Sequence, residues 1–323
     1  MRDNLGRTVN YLRLSITDRC NLRCCYCMPA SGVACCGHGE ILRYEELLRI
    51  AKAAAELGVE KVRVTGGEPL VRKGVVDFLA QLAKVPGLTE IALTTNGLLL
   101  APLADQIRAA GVERLNVSLD SLDPDTFARI TRGGDLHQVL AGLDAAERAG
   151  LLLKLNMVVM RGINDHEVER FAALSLDKPW SVRFIEYMPT IKERAWRNRV
   201  IAGSEVLERL GRRFTLEPLT TGRLCGPARP YRIAGARGTV GIITPMTDHF
   251  CGVCNRIRVT STGFAKSCLL SDDAVDLKPS LAADTTVLLH EALRRVVAGK
   301  GQRHHLGEDE DGPSSFTMAG IGG

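Results

Sequence analysis

Long apolar segments are missing from this 323-residue sequence, since no run approaches the roughly 18 residues that a membrane span requires. The first ten residues are polar and lack the apolar core of a secretion signal, so we expect a cytoplasmic protein. Aromatic residues make up only 5% of the chain, which argues against stacking platforms for single-stranded nucleic acid. The net charge of +5 is spread along the chain. We therefore expect neither a membrane nor a nucleic acid as a partner.

The first two thirds of the chain alternate between strand-like and helix-like segments. Gly58, Gly111 and Gly150 each follow the end of a predicted helix, where a left-handed residue is favoured. The predicted helices cover Glu45–Leu57, Val75–Ala83, Leu103–Ala110, Gln138–Ala149 and Val168–Leu174. The predicted strands cover Asn10–Ile16, Val59–Thr65, Thr89–Thr95, Val112–Leu119, Leu151–Met160 and Ser181–Met188.

Six alternating βα units imply a parallel sheet with right-handed crossovers. Six is two short of a closed barrel, which leaves a partial barrel or an open doubly wound sheet. We predict an α/β fold in which a partial (βα)6 TIM-like barrel spans residues 1–214. The alternation breaks down after about Glu205, and one late helix is predicted near Val287–Val297. We therefore predict a smaller C-terminal domain over residues 215–323.

Ten cysteines are unusual for a chain expected in a reducing compartment, where structural disulfides are rare. Their clustering indicates metal or cluster ligation. Cys20, Cys24 and Cys27 form a C-x3-C-x2-C loop, whereas structural zinc sites favour four ligands in paired C-x2-C units. Three thiolates on one loop suit an iron–sulfur cube with one open iron. A zinc site with a distant fourth ligand and a set of unligated thiols are the alternatives.

A second cysteine group has the spacing Cys251-x2-Cys254-x13-Cys268. On spacing alone, this group fits a zinc site and a second iron–sulfur cluster equally well. His249 and Cys225 are candidates for the fourth ligand that zinc would need. We therefore expect the smaller C-terminal domain to bind either zinc or an iron–sulfur cluster. The spacing of the cysteines does not distinguish between the two.

Two common nucleotide-binding loops are absent, since nothing fits G-x4-G-K-S/T and no G-x-G-x-x-G opens a helix after a strand. A nucleoside triphosphate would therefore have to be held by side-chain cations. Buried cations are rare without partners, and several lie within or at the ends of predicted strands. Four such cations favour an anionic ligand over buried salt bridges: Arg13, Arg63, Lys154 and Arg183. Arg256 and Arg258, beside the second cysteine group, suit either a polyphosphate or a solvated strand face.

Motifs at the strand ends resemble a known superfamily. The cysteine loop after the first predicted strand and Gly66-Gly67-Glu68-Pro69 after the second resemble the radical S-adenosylmethionine enzymes. More narrowly, most of the chain resembles the GTP 3′,8-cyclase family of molybdenum cofactor biosynthesis. The matching stretches are Leu12–Pro29, Arg63–Arg72, Leu93–Leu100, Arg114–Phe127, Lys154–Asp165, Arg183–Pro189, Gly226–Ile233, Gly241–Leu269 and the last residues.

The resemblance implies two [4Fe–4S] clusters and a set of site residues. It assigns the first cluster to Cys20, Cys24 and Cys27, and the second to Cys251, Cys254 and Cys268. It assigns S-adenosylmethionine to Tyr26, Gly67, Ser118 and Met188. It assigns GTP to Arg13, Arg63, Thr94, Lys154, Arg256, Ile257 and Arg258. It also implies that the terminal Gly322-Gly323 reaches into the active site.

The implied reaction is a radical cyclisation by a lyase. The first cluster passes one electron to S-adenosylmethionine, and the resulting 5′-deoxyadenosyl radical takes hydrogen from C3′ of GTP. The ribose radical attacks C8 of guanine, which gives (8S)-3′,8-cyclo-7,8-dihydroguanosine 5′-triphosphate. The implied partners are a reduced, flavodoxin-like electron donor and the cyclic pyranopterin monophosphate synthase downstream. A homodimer is compatible with the sequence, which does not set the oligomeric state.

Two other functions share part of the pattern. A radical peptide-modifying enzyme with an auxiliary cluster shares the cysteine layout but does not need the cationic strand ends. A zinc-stabilised nucleic-acid-binding protein is opposed by the low aromatic content and the dispersed charge. We interpret Cys25, which breaks the spacing, as a residue without a ligand role. Cys35-Cys36 departs from the family pattern, and we interpret it as neutral variation.

Overall fold

The structure is a computed structural model that describes residues 1–190, 195–283, 285–304, 306 and 318–322. Over these residues, one sheet runs through the molecule. Its strands are β1 (Tyr11–Ser15), β2 (Lys61–Thr65), β3 (Glu90–Thr95), β4 (Arg114–Ser118), β5 (Leu152–Val159), β6 (Ser181–Glu186), β7 (Leu216–Pro218), β8 (Arg229–Ile233), β9 (Thr239–Ile243), β10 (Arg256–Val259), β11 (Phe264–Lys266) and β12 (Val275–Asp276).

The six predicted strands are β1 to β6, and they pair in parallel in chain order. Each begins and ends no more than two residues inside its predicted bounds. Alternate side chains of these strands enter different environments. In β1 and β2, Leu12 and Val62 join the hydrophobic core, whereas Arg13 and Arg63 are partners in register on the other face. This confirms the parallel α/β sheet with cations inside it.

The helices cover the apolar face of the sheet. The five predicted between strands and the late helix are found within three residues of their predicted bounds, and glycines 58, 111 and 150 have positive φ as expected. Four of the described α-helices were not predicted, at 124–131, 203–211, 278–282 and 318–321. No helix within the described residues is both long enough and apolar enough to span a membrane. The helices are α1 (Tyr44–Glu56), α2 (Val75–Leu82), α3 (Ala104–Ala109), α4 (Pro124–Thr131), α5 (Leu136–Arg148), α6 (Val168–Asp177), α7 (Gly203–Gly211), α8 (Lys278–Ala282), α9 (Val287–Ala298) and α10 (Met318–Ile321).

The C-terminal third extends the same sheet at both edges. β10 pairs in parallel with β1, with Arg256 opposite Tyr11, and β9 pairs in parallel with β6, with Gly241 opposite Arg183. The order in the described part of the chain is β12-β11-β10-β1-β2-β3-β4-β5-β6-β9-β8-β7. The parallel section is therefore longer than the six strands of the predicted partial barrel. The predicted domain boundary after residue 214 stays a prediction.

Candidate active site

A cavity of about 300 Å³ lies at the carboxyl ends of β1 to β6 and extends between these strands. Both cysteine triads line it, although they are far apart in the sequence. They meet because β10, which follows Cys254, is placed beside β1, which precedes Cys20. The other four cysteines are not among the lining residues, in agreement with the interpretation of Cys25.

The first cysteine loop packs directly on the loop after β2. The N–H of Gly67 donates to the carbonyl of Thr17 at 2.8 Å, and the N–H of Glu68 donates to that of Arg19 at 2.8 Å. A Cβ at position 67 would lie 2.3 Å from the Arg19 carbonyl oxygen, closer than any contact allows. Only glycine therefore lets the two loops approach, which gives a steric reason for the residue that the resemblance assigns to S-adenosylmethionine.

The thiols of the first triad are difficult to ionise without a metal. Burial, with a smaller contribution from the nearby Cys20 and Asp120, raises the pKa of Cys27 to about 12. Burial also raises the pKa of Cys20 and that of Cys24. Three neutral thiols in one cavity fit a site where a bound cation supplies the charge that thiolates need. The donor set therefore fits an iron–sulfur cluster with one open iron.

Tyr26 is held by a carboxylate that sequence reasoning did not assign to the site. Its hydroxyl donates to Asp120 at 2.7 Å, and the other oxygen of Asp120 accepts the N–H of Val158 at 2.9 Å. Burial raises the pKa of Asp120 to about 6. The available signal was the position of Asp120 at the end of β4, two residues after Ser118. This contact fixes the ring of Tyr26 at the cavity wall.

Glu68 ties together the loops that follow β2 and β3. Its carboxylate, 1% exposed, accepts the N–H of Leu70 at 2.9 Å, the hydroxyl of Thr95 at 2.9 Å and the N–H of Asn96 at 2.6 Å. Asn96 in turn donates to Asn21 in the cysteine loop at 2.7 Å. Burial raises the pKa of Glu68 to about 7, although these hydrogen bonds oppose the shift.

We expect Glu68 to make stability depend on pH. Because burial raises its pKa from the ordinary 4.5 to about 7, the folded protein holds a proton that the unfolded chain releases. The contribution of Glu68 to stability is therefore complete below about pH 4.5 and is lost as the pH rises through about 7, by about 3 kcal/mol at most. In Glu68→Gln this pH dependence should disappear. Thermal unfolding of the reconstituted protein between pH 5 and 8 measures it.

The exposed Glu45 on α1 offers the control, since Glu45→Gln should follow the wild-type profile of unfolding temperature against pH. Parallel profiles for the wild type and Glu68→Gln would contradict the expectation, because they would mean that Glu68 is already ionised in the folded protein at pH 5.

The second triad lies among cations. Burial alone would raise the pKa of Cys254, but the charges of Arg256 and Lys300 outweigh burial and lower this pKa to about 6. The guanidinium of Arg256 also donates to the Cys254 sulfur at 3.7 Å. The two triads therefore differ in electrostatics, because the first is surrounded by negative or neutral groups and the second by positive ones.

His249 and His304 lie beside one cysteine of the second triad. Ligand atoms of His249, Cys251 and His304 all lie within 4.8 Å of one another, and the facing ring nitrogens of the two histidines are 3.0 Å apart. Sequence reasoning proposed His249 as a zinc ligand but did not pair it with His304. This geometry keeps the zinc alternative open at the second triad.

Cations crowd the inner face of the sheet. Burial and the neighbouring Arg63 lower the pKa of Arg183 to about 10, and burial and Arg256 lower that of Arg258 to about 10. The Nε atoms of Arg63 and Arg183 and the hydroxyl of Thr94 are buried with no hydrogen-bond partner among the described residues. Such a site is stabilised by an anion with several oxygens, which would separate the like charges and fill the open donors.

Two predicted GTP residues are placed differently from the rest. Ile257 is fully buried in the hydrophobic core, so only its backbone is available to a ligand. Lys154 is not among the residues that line the cavity, and burial and Arg183 lower its pKa to about 6. All the other predicted residues line the cavity: Tyr26, Gly67, Ser118 and Met188, with Arg13, Arg63, Thr94, Arg256 and Arg258.

The C-terminal segment reaches the inner face of the sheet. The carbonyl of Gly322 accepts a hydrogen bond from Arg258 Nη1 at 2.9 Å. Gly322 has φ +79°, and a Cβ there would lie 2.7 Å from Thr65 Cγ2 and 3.0 Å from Ser15 Cβ. A side chain is therefore excluded by both conformation and space. Gly323, which belongs to the predicted tail, lies outside the described residues.

Family profiles match both parts of the chain. The profile described as Radical SAM superfamily matches residues 14–174, and the profile described as Molybdenum Cofactor Synthesis C matches residues 180–306. Among solved structures, Streptococcus suis SuiB bound to S-adenosylmethionine has a TM-score of 0.59. The match covers 89% of this chain and 68% of that chain at 13% identity, which shows a shared fold.

Full-length relatives are considerably more similar. A Geobacter sulfurreducens protein named GTP 3′,8-cyclase is 56% identical over 322 residues, which are 99% of each chain. A Moorella thermoacetica protein of the same name is 45% identical over 99% of this chain and 100% of the relative. These matches extend over both cysteine triads and the cationic strands between them. The chain therefore belongs to the GTP 3′,8-cyclase family of the radical S-adenosylmethionine superfamily.

Proposed function

We propose that this chain converts GTP to (8S)-3′,8-cyclo-7,8-dihydroguanosine 5′-triphosphate, the first step of molybdenum cofactor biosynthesis. The observation that carries the proposal is a single cavity lined by two cysteine triads and by arginines of the strands between them. The family relationship supports the same reaction. Neither triad alone would suggest a nucleotide substrate, whereas the cations do.

The first triad holds a [4Fe–4S] cluster in this proposal, and Tyr26, Gly67, Ser118 and Met188 bind S-adenosylmethionine beside it. When bound, these two groups together supply the radical chemistry. Tyr26, whose hydroxyl donates to Asp120 at 2.7 Å, would hold S-adenosylmethionine against the cavity wall. The tight packing of the loops around Gly67 leaves no room for a side chain at that part of the cavity wall.

The second triad, Cys251, Cys254 and Cys268, holds a second [4Fe–4S] cluster on the substrate side. GTP is bound by Arg13, Arg63, Thr94, Lys154, Arg256 and Arg258, and by the backbone of Ile257. Its triphosphate would bring negative charge to this cationic site, and its oxygens can accept hydrogen bonds from the Nε atoms of Arg63 and Arg183, which have no partner among the described residues. Arg183, which the sequence analysis grouped with the cations that favour an anionic ligand, also lines the cavity and belongs to this set.

The proposal extends to partners that the fold does not identify. A reduced, flavodoxin-like protein delivers electrons, and the cyclic pyranopterin monophosphate synthase receives the product in the cytoplasm. The oligomeric state, for which the sequence is compatible with a homodimer, belongs to the same proposal.

The test is turnover of the anaerobically reconstituted protein with a reductant, S-adenosylmethionine and GTP. We expect 5′-deoxyadenosine and the cyclised nucleotide in equal amounts, and GTP deuterated at C3′ should transfer deuterium to 5′-deoxyadenosine. ATP in place of GTP serves as the control and should give no cyclised product. A protein that holds zinc at the second triad, or that forms no nucleotide product at full iron content, would contradict the proposal.

A further inference from the structure

Lys300 is a buried cation that the proposed reaction does not use. It follows α9 and is 6% exposed. Its ammonium donates to the carbonyl of Arg256 at 2.9 Å and to the carbonyl of Ser267 at 2.8 Å. Arg256 comes two residues after Cys254, and Ser267 directly precedes Cys268. One ammonium group therefore links the segments that carry two of the three cysteines of the second triad.

The third cysteine is held by a different cation. Arg7 Nη1 donates to the carbonyl of Cys251 at 2.8 Å, and its Nη2 donates to the carbonyls of Lys300 and Gly301 at 3.1 and 2.9 Å. Arg7 forms an ion pair with the buried Asp3, so its charge is compensated. Arg7 therefore positions the backbone at Cys251 but adds little net charge to the site.

Lys300 differs from Arg7 in this respect. Its hydrogen-bond acceptors are the two carbonyl oxygens, and no carboxylate of the described residues lies within ion-pair distance. Its ammonium lies against the backbone two residues after Cys254 and directly before Cys268, so its charge is close to the second triad. A fixed positive charge in a buried site stabilises whichever state of a neighbouring group is more negative. For an iron–sulfur cluster, net charge and nearby hydrogen bonding are among the factors that set the reduction potential.

We propose that Lys300 is a positioning residue of the second triad, and that its charge favours the reduced state of the cluster bound there. This inference rests on the proposed function, because it requires a [4Fe–4S] cluster at Cys251, Cys254 and Cys268. The proposed role of Lys300 is separate from GTP binding, because its ammonium donates hydrogen bonds to the backbone of the cysteine segments.

The experiment compares the reconstituted wild type with Lys300→Gln, which removes the charge, and Lys300→Arg, which keeps it. Lys52→Gln on the exposed face of α1 is the matched control. Iron content is measured first, and an EPR-monitored redox titration follows. At a fixed potential we expect the reduced-to-oxidised ratio of the second cluster to fall at least tenfold in Lys300→Gln, or about 59 mV for one electron. Lys300→Arg and Lys52→Gln should stay near the wild type.

The other possible outcomes also support or refute the role proposed for Lys300. If Lys300→Gln loses about half of the iron while Lys300→Arg keeps it, the charge is needed to hold the site, which supports the proposal. If Lys300→Gln keeps all of its iron with an unchanged ratio, or if Lys300→Arg behaves like Lys300→Gln, the proposal is wrong. A wild type with only about four irons would instead overturn the two-cluster part of the proposed function.

Discussion

Replacing Cys24 by alanine is expected to abolish reductive cleavage of S-adenosylmethionine, with product below detection. Replacing Cys254 by alanine is expected to leave that cleavage measurable but to abolish cyclisation of GTP. The physical reason is that each triad has three thiols, so loss of one leaves two protein ligands for a cluster. Chromatography of 5′-deoxyadenosine and of nucleotides, with iron analysis, measures both effects.

Cys25 provides the matched control, because it is adjacent to Cys24 and packs with a buried apolar group that includes Met160 and Tyr187. Cys25→Ala should keep the iron content and both activities. Cleavage of S-adenosylmethionine by Cys24→Ala at more than a few per cent of the wild-type rate would refute the assignment of the first triad. Normal cyclisation by Cys254→Ala would refute that of the second.

Replacing Gly322 by valine is expected to lower formation of the cyclised nucleotide by about 100-fold, the scale of a small misplacement in an active site. The valine side chain would clash with Thr65 and Ser15. The backbone at this position has the left-handed conformation, which β-branched residues avoid. The hydrogen bond from Arg258 to the Gly322 carbonyl would then be lost. Product formation under saturating GTP measures the effect.

Iron content should be unaffected by this change, because the groups that Gly322 approaches, Thr65, Ser15 and Arg258, are not cysteines. Gly211→Ala, at an open position at the end of α7, controls for the loss of a glycine and should retain full activity. A Gly322→Val enzyme with wild-type turnover would show that the chain end has no part in the reaction.

The barrel strands and the first triad could be predicted because their signals are local. Strand and helix periodicity, and glycines at helix ends, depend on neighbours a few residues apart. Even the missed helix α4 had such a signal, since Asp123 caps it and Pro124 begins it. The placement of β9 and β10 had none. β9 is separated from β6 by α7 and the antiparallel β7 and β8, and β10 pairs with β1 from the other end of the chain, so the βα alternation could not reveal either strand.

The site was predictable only as far as residue type and strand position allow. Arg13, Arg63 and Arg258 fall on one face because side chains alternate along a strand. The contacts that hold the site in place join distant segments, as Lys300 does for Ser267 and Asp120 does for Tyr26. No spacing rule connects such pairs, so only the folded chain shows them.

Because β1 pairs with β10, one edge of β1 stays unpaired during most of translation. Arg256 is synthesised about 245 residues after Tyr11, which at 5–20 residues per second means roughly 12–50 s on the ribosome. During that time, the outer edge of β1 has unpaired N–H and C=O groups and can associate with strands of other chains. The first cysteine loop emerges in the same interval. Productive folding therefore competes with aggregation until the last third of the chain has left the ribosome.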